Sequence, residues 1–392
     1  MKTFRCQHCG NPLFFENVQC LQCDSALAFL PDRLNIVAIE PVPDGDEGLW
    51  RPRTRGRKAS AARYRLCHNH TTQNACNFAV PADDPNPLCV SCRLTRVLPD
   101  LSQPENPARW YRLEAAKRRL FYTLAKLGLV ATTPANGEAD GPVFEFLADL
   151  PGQPVMTGHA QGVITLNVAE ADDAERVRRR VEMHEPYRTL LGHVRHESGH
   201  YYWDRLIDES GRVERFREVF GDERQEYQQA LQDHYARGGT VPDWQDSYVS
   251  EYATAHPWED WAETWAHYLH MVDLLETAAW YNTRVTVPGQ EQEMEEVVNP
   301  LETGRPDFDT LVEQWVRLTL LVNSLNRSLG QEDAYPFALS VGALQKLRYV
   351  HDVIGETRSQ SPEQGAKAQG GSAGTAPADA ATAGPPEPAP AS

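Results

Sequence analysis

Beyond Cys92 the chain has no cysteine, so most of its length offers no thiol for nucleophilic catalysis. It contains no run of 18 apolar residues, which excludes a membrane-spanning helix. The first residues, Met1-Lys2-Thr3-Phe4-Arg5-Cys6, lack the apolar stretch of a secretory signal. The expected location is therefore the cytoplasm, with no membrane partner. Positive charge is scarce: 38 Lys and Arg face 55 Asp and Glu, a net −17. The molecule as a whole is not built to seek nucleic acid or anionic lipid. No glycine-rich phosphate loop and no G-x-S-x-G element occurs, which argues against phosphate-cradle chemistry and a serine nucleophile. The 392 residues leave room for two or three domains and a large core.

What is present is concentrated in one pentad. His196-Glu197-Ser198-Gly199-His200 reads H-E-x-x-H, inside the proline-free, helically spaced segment Leu190–Ile207. Four residues is about one helical turn, so both imidazoles face one side and can grip a single zinc ion. Glu197 then sits beside the metal, where it can take a proton from water held there. A surface helix with two histidines reads the same way. An open zinc site therefore needs a third protein ligand from another helix.

Ala255–Tyr281 offers one. Pro257 suits a first helical turn, and Glu259 and Glu263, four apart, share a face with Ala262, Ala266 and His270. Trp261, Trp265 and Tyr268 are expected on the opposite side. Small residues beside acids allow a helix to pack closely against a metal centre. Glu259 is the expected ligand and Glu263 the outer carboxylate that accepts the spare N–H of a ligand histidine. Glu263 is the rival for the ligand role, and acids in a first turn favour the helix dipole whatever they bind.

The eight cysteines form two quartets. Cys6-x2-Cys9-x10-Cys20-x2-Cys23 has the spacing of a four-thiolate zinc ribbon, with Gly10 aiding the first knuckle. Cys67-x8-Cys76-x12-Cys89-x2-Cys92 is less regular, and His68 and His70 offer substitute ligands. Cys67, Cys76, Cys89 and Cys92 are the favoured set. Closed thiolate shells leave no open position, so both zincs are expected to be structural. Between the quartets, Arg51–Arg65 carries seven basic residues and no acid. It reads as a solvated connector, or as a patch for nucleic acid or an acidic protein partner.

The rest reads as mostly helical. Pro107–Leu129 is amphipathic, with Trp110, Leu113 and Leu120 on one side. Pro142–Leu150 is a short strand or a helical turn. Gly162–Val168 is the better strand, apolar and β-branched, followed by a helix from about Ala171. Arg212–Arg237 is a charged helical insert broken near Gly221, read as a solvated helical hairpin, with a lid as the alternative. Pro306–Leu329 and Phe337–Ile354 are two more helices. From about Gly355 the composition turns to Ala, Gly, Pro, Ser and Gln and cannot order itself. His193 reads as a supporting or capping residue. His267 and His270 read as substrate contacts or hydrogen-bonded core histidines.

The pentad followed by E-x-x-x-E at Glu259 resembles the zincin metallopeptidases of the glutamate-ligand type, the gluzincins. Glu259-Asp260-Trp261-Ala262-Glu263 is similar to the E-x-[FW]-A-E helix of the anthrax lethal-factor-like branch. In that branch a tyrosine seven residues before the ligand glutamate helps stabilise the oxyanion. Tyr252 stands at that offset, with Tyr248 nearby. With the cysteine quartets, the pattern is closer still to bacterial zinc-binding metallopeptidases that carry an N-terminal zinc ribbon. The resemblance implies an α+β chain: a mostly helical zincin-like domain with a small sheet, preceded by two small zinc-ribbon-like modules. The expected division is a ribbon at 1–35, a basic linker at 36–66, a second zinc module at 67–100, a peptidase domain at 101–355 and a tail at 356–392. The gluzincin strand that pairs with extended substrate is expected at Gly162–Val168. Three zinc ions are expected, one catalytic and two structural. His196, His200 and Glu259 would hold the catalytic ion, Glu197 would be the general base and Tyr252 would brace the oxyanion of a peptide or protein substrate. The alternative is a ribbon-based adaptor for nucleic acid or a protein partner, with an inactive or latent zincin domain.

Overall fold

The computed structural model describes residues 1–43, 47–53, 61–133, 140–182, 189–238, 241–289, 295–302 and 306–360. At the N-terminus, β1 (Phe4–Arg5) and β2 (Pro12–Leu13) form a hairpin. A five-stranded antiparallel sheet follows in the order β3 (Ala26–Leu30), β4 (Asn35–Pro41), β5 (Leu49–Pro52), β6 (Tyr64–Leu66), β7 (Ala79–Pro81). The short α1 (His68–Gln73) precedes β7. Phe29 N–H donates to Asn77 O at 2.8 Å, which draws β3 back towards β7. Residues 36–66, expected as a connector, therefore contribute β4, β5 and β6, and these strands lie between the two cysteine quartets in the chain. The sheet is covered on both faces. Leu27, Phe29, Ile36 and Ala38 enter the main core, while Ala28, Leu30, Val37 and Ile39 form a second small core with Tyr64.

The main core continues into the helical part. Phe4, Phe15 and Phe29 pack around Tyr122 of α2 (Asn106–Lys126), and Phe78 meets Phe121. The apolar stripe of α2, including Trp110, Leu113, Leu120 and Leu124, is buried.

A second sheet has the order β10-β11-β9-β8, from β8 (Thr95–Val97), β9 (Val143–Leu147), β10 (Gly158–Ala160) and β11 (Val163–Asn167). Pro142–Leu150, open to two readings by pattern, holds a strand. The edge is not where it was expected. Gly162–Val168 supplies β11, which lies between β9 and β10, and the edges among the described residues are β10 and β8. Gln161 and Gly162 have φ of 50° and 79°. Two successive positive-φ residues make the tight turn that folds a short strand back on its neighbour. Gly158-His159-Ala160 is too short and polar to show a period.

Helices α3 (Asp173–Glu182), α4 (Leu190–Trp203), α5 (Val213–Phe220), α6 (Tyr227–Ala236), α7 (Pro257–Trp280), α8 (Phe308–Ser328) and α9 (Val341–Gln360) complete the fold. Thr189 caps α4, its hydroxyl accepting from Gly192 N–H at 2.9 Å. The insert breaks at Gly221, which has φ 96°. It is not a solvated hairpin: Phe216 and Phe220 are buried against Trp203, Trp261 and Tyr349. Helix α9 runs past the expected start of the tail, and there Glu356 pairs with Arg212 and Arg215 at 3.1 and 2.7 Å. Residues 361–392 lie outside the described residues. No helix among the described residues is long and apolar enough to cross a membrane.

The crossing of α4 and α7 sets the position of the site. A Cβ built on Gly199 would lie 2.8 Å from Ala262 Cα and 3.2 Å from Trp265 Cδ1, so only glycine permits this approach. Trp261 and Trp265 flank the contact rather than facing away from it. Trp261 Nε1–H donates to Gly199 O at 2.8 Å, and Trp265 Nε1–H donates to Ser198 Oγ at 3.1 Å. Gly199→Ala should force the helices apart and cost about 1–3 kcal/mol, the usual range for overpacking a tight core. Chemical denaturation of the two proteins checks this, and equal stability would mean the crossing tolerates a methyl group.

Candidate metal centre

On α4, one helical turn carries His196 and His200 on the same side, their rings 5.1 Å apart. Glu259 enters from the first turn of α7, and its Oε2 lies 3.0 Å from His196 Nε2 and 3.6 Å from His200 Nε2. The three residues can present one ligand atom each within 4.8 Å of one another. Glu263, one turn further along α7, holds the far side of the first imidazole: His196 Nδ1 lies 2.6 Å from its Oε1. A carboxylate only accepts, so Nδ1 carries a proton, and when the ring is neutral Nε2 is the lone pair a metal would take. Ser250 Oγ–H donates to the other oxygen of Glu263 at 2.6 Å.

This arrangement calls for a cation. Glu259 is 1% exposed, and its Oε2 is buried without a hydrogen bond although two imidazole nitrogens stand beside it. Burial opposes charge on Glu263, yet the hydrogen bond from His196, that ring's charge and Ser250 hold its carboxyl at about 2. Burial also opposes charge on His196, but Glu259 and Glu263 raise it well above the ordinary imidazole range. Acceptors that converge in a buried place and favour positive charge fit a divalent metal. Imidazole and carboxylate donors suit zinc.

Glu197 lies on the same helix, 8% exposed. Burial raises its carboxyl above the ordinary range. Tyr252 sits in the short 3-10 turn Tyr252–Thr254 that precedes α7, its ring 5.9 Å from that of His196. Burial and the nearby Glu259 charge keep its phenol protonated. Two residues near these groups gave no sequence signal. Tyr227, first residue of α6, donates its hydroxyl to Glu259 Oε1 at 2.5 Å. His159, on the edge strand β10, stacks 6.1 Å from His200. Burial and the neighbouring His200 lower its imidazole to about 4. No spacing rule relates either residue to the pentad, because both arrive by tertiary folding.

Three further histidines, His193, His267 and His270, have partners outside this cluster. His193 pairs with the buried Glu170. His267 Nδ1 lies 2.6 Å from Tyr335 Oη, and burial lowers its imidazole to about 4. His270 contacts Arg195, which pairs with Asp273 beneath α4. Tyr248 lies under the ammonium of Lys346, 3.8 Å from its ring centroid.

The cysteines converge as two quartets, Cys6, Cys9, Cys20, Cys23 and Cys67, Cys76, Cys89, Cys92. Sulfurs sit 3.6–3.7 Å apart in both. A tetrahedron with ~2.3 Å metal–sulfur bonds has an edge of about 3.8 Å, so both quartets fit zinc. In the first, Gly10 N–H donates to Cys6 O and Asp24 N–H to Cys20 O, each at 2.8 Å, which closes the two knuckles. His70 is turned away from the second quartet, its Nδ1 2.7 Å from Cys76 O. Arg118 of α2 is buried beside this quartet and donates to Ala75 O at 2.7 Å. Burial opposes its charge, but Cys76, Glu114 and Cys92 hold the guanidinium firmly protonated. Within the basic stretch, Arg51 pairs with Glu40, Arg53 donates to Ser25 Oγ, and Arg65 donates to Asp84 O. Arg55, Arg57 and Lys58 lie outside the described residues.

Residues 106–353 match a family described as "Putative zinc-binding metallo-peptidase", and residues 3–103 match a zinc-ribbon domain. Proteins of Mycobacterium bovis and of two Mycobacterium tuberculosis strains, each described as an uncharacterized protein, are 43% identical over 358 residues. The match covers 91% of this chain and 96% of each relative. No solved structure matches.

Because the second quartet shares its charge balance and core with α2, Cys89→Ser should loosen both. Amide exchange protection at Tyr122 and Leu124 is expected to fall together with that at Phe29 and Val80. Unchanged protection along α2 would show that the cysteine-bearing sheet folds independently of it.

Proposed function

The chain belongs to the zinc-binding metallo-peptidase family, and on that premise we propose that it is a zinc-dependent peptide-bond hydrolase, a gluzincin-type endopeptidase. The observation that carries this reading is the convergence of two imidazole nitrogens and the unpaired Glu259 oxygen, with a buried carboxylate, Glu197, on the same helix. His196, His200 and Glu259 would hold the ion. Zinc, when bound, supplies Lewis-acid polarisation and brings the pKa of water down to about 7.

The protein's own groups then divide the work. Glu197 takes the proton of the attacking water and returns it to the leaving amine. Its burial raises its basicity towards the working pH, which suits both transfers. Tyr252, kept protonated, donates to the oxygen of the tetrahedral species. A donor of this kind contributes about 3 kcal/mol to the transition state. Among the described residues strand β10 pairs on one side only, and it adjoins α4 through the stacking of His159 on His200. An extended peptide would add there as a further strand, its backbone groups pairing with those of β10. The two thiolate quartets would hold structural zinc, giving three ions per chain.

Glu197→Gln should keep all three zinc ions and lose hydrolysis by several orders of magnitude. Elemental analysis of both proteins checks the metal content. Comparison of newly formed protein N-termini in cells carrying either form reads the activity and identifies the substrates. A Gln variant that cleaves at the native rate would remove Glu197 from the base role, and a native chain with only two zinc ions would sink the hydrolase reading.

A further inference from the structure

The insert between the two metal-bearing helices is built into the site through one side chain. We propose that Tyr227 is a positioning residue that holds Glu259 to one-oxygen ligation and thereby keeps the metal both tightly bound and open on one side. This rests on the reading of His196, His200 and Glu259 as the metal ligands. Glu259 has two oxygens with different surroundings. Oε1 accepts the Tyr227 hydroxyl at 2.5 Å. Oε2 has no hydrogen bond and faces His196 Nε2 and His200 Nε2. The carboxylate is thus divided, with one oxygen for the phenol and one for the cation.

The phenol is itself fixed. Its ring packs 5.2 Å from His256, nearly edge-on, and 5.9 Å from Trp258, both on the chain that leads into Glu259. The loop before α6 is pinned from two directions. His256 Nε2 lies 3.2 Å from Gln225 O, and Arg217 of α5 makes a salt bridge with Glu223 at 2.5 Å. His256 also caps α7, its Nδ1 accepting from Trp258 N–H at 3.1 Å. One residue therefore registers the start of α6 against the start of α7. A carboxylate without such a donor can swing and offer both oxygens. That would fill the coordination position a hydrolytic site keeps free. Outer hydrogen bonds that orient a ligand in this way typically govern metal affinity by about 10–100-fold.

The test uses the full-length, zinc-loaded chain with no substrate. Wild type, Tyr227→Phe and His196→Ala are each dialysed against zinc buffers of falling free zinc, set by a chelator mild enough to spare the thiolate quartets. Zinc per chain is then counted. The expected result is three ions for wild type and two for His196→Ala. The third ion should leave Tyr227→Phe at a free-zinc level about 10–100-fold higher than wild type, with the other two unmoved. Phenylalanine keeps the ring and removes only the hydroxyl. A merely structural hydroxyl would destabilise the three-ion and two-ion forms equally in thermal unfolding and leave the release level unchanged. That outcome overturns the proposal alone. A wild-type chain holding only two ions overturns the metal site and the proposal together.

Discussion

A backbone-to-backbone contact between Gly199 and Ala262 is the constraint on which the candidate site depends. The pentad must touch the N-terminal part of α7, between Glu259 and Glu263, for a carboxylate on one helix to reach two imidazoles on the other. Any Cβ at Gly199 would meet the Ala262 backbone at 2.8 Å. The tryptophan indoles on either side of Ala262 lock the crossing by donating to Gly199 O and Ser198 Oγ. Because α4 and α7 are rigid helices, one contact point and two hydrogen bonds determine where Glu259 and Glu263 stand relative to His196. Side chains on helices hold such geometry more closely than side chains on loops.

Electrostatics then explains why acids are buried there at all. Burying an ionised carboxylate is costly unless it is paired or binds a metal. Glu263 is paired with His196 and Ser250, and Glu259 with Tyr227 on one oxygen only. The remaining oxygen and two lone pairs form a negative pocket that a divalent ion satisfies. The same logic operates at the second cysteine quartet, where four thiolates would carry excess negative charge and the buried Arg118 lies beside them. In both places the helical part and the metal site share their charge balance, so neither is complete without the other.

The insert shows how a polar sequence can be deeply integrated. Arg212–Arg237 is rich in charge, and charge suggests a solvated hairpin. Yet Phe216 and Phe220 are buried and Tyr227 is half-buried, and these rings seat the insert against the helical core. The aromatic network from Trp203 through Trp261 to Tyr349 surrounds Phe216 and Phe220. The first sheet carries a related lesson. Ala26–Leu30 and Asn35–Pro41 show no inside–outside alternation, because side chains on both faces are buried, one set in the main core and the other in a small core with Tyr64 of β6. Without a period, Asn35–Pro41 carries no strand signal and reads as the start of the connector at 36–66.

What the amino-acid order determined by itself is what local repeat geometry controls. The 3.6-residue period brings His196 beside His200 and Glu259 beside Glu263, and a C-x-x-C turn brings two sulfurs together, whatever the rest of the chain does. The helical spans, the break at Gly221 and the apolar stripe of α2 follow from the same short-range rules. Tertiary structure alone decided the rest. It turned Gly158–Ala160 into an edge strand through the Gln161-Gly162 turn, built most of a sheet out of the stretch between the two cysteine quartets, and set Tyr227 on Glu259. Those outcomes depend on contacts between residues distant in the chain, whose energies come from burial and charge pairing rather than from any spacing a reader can count. Helical period aligns neighbours, but only packing brings strangers together.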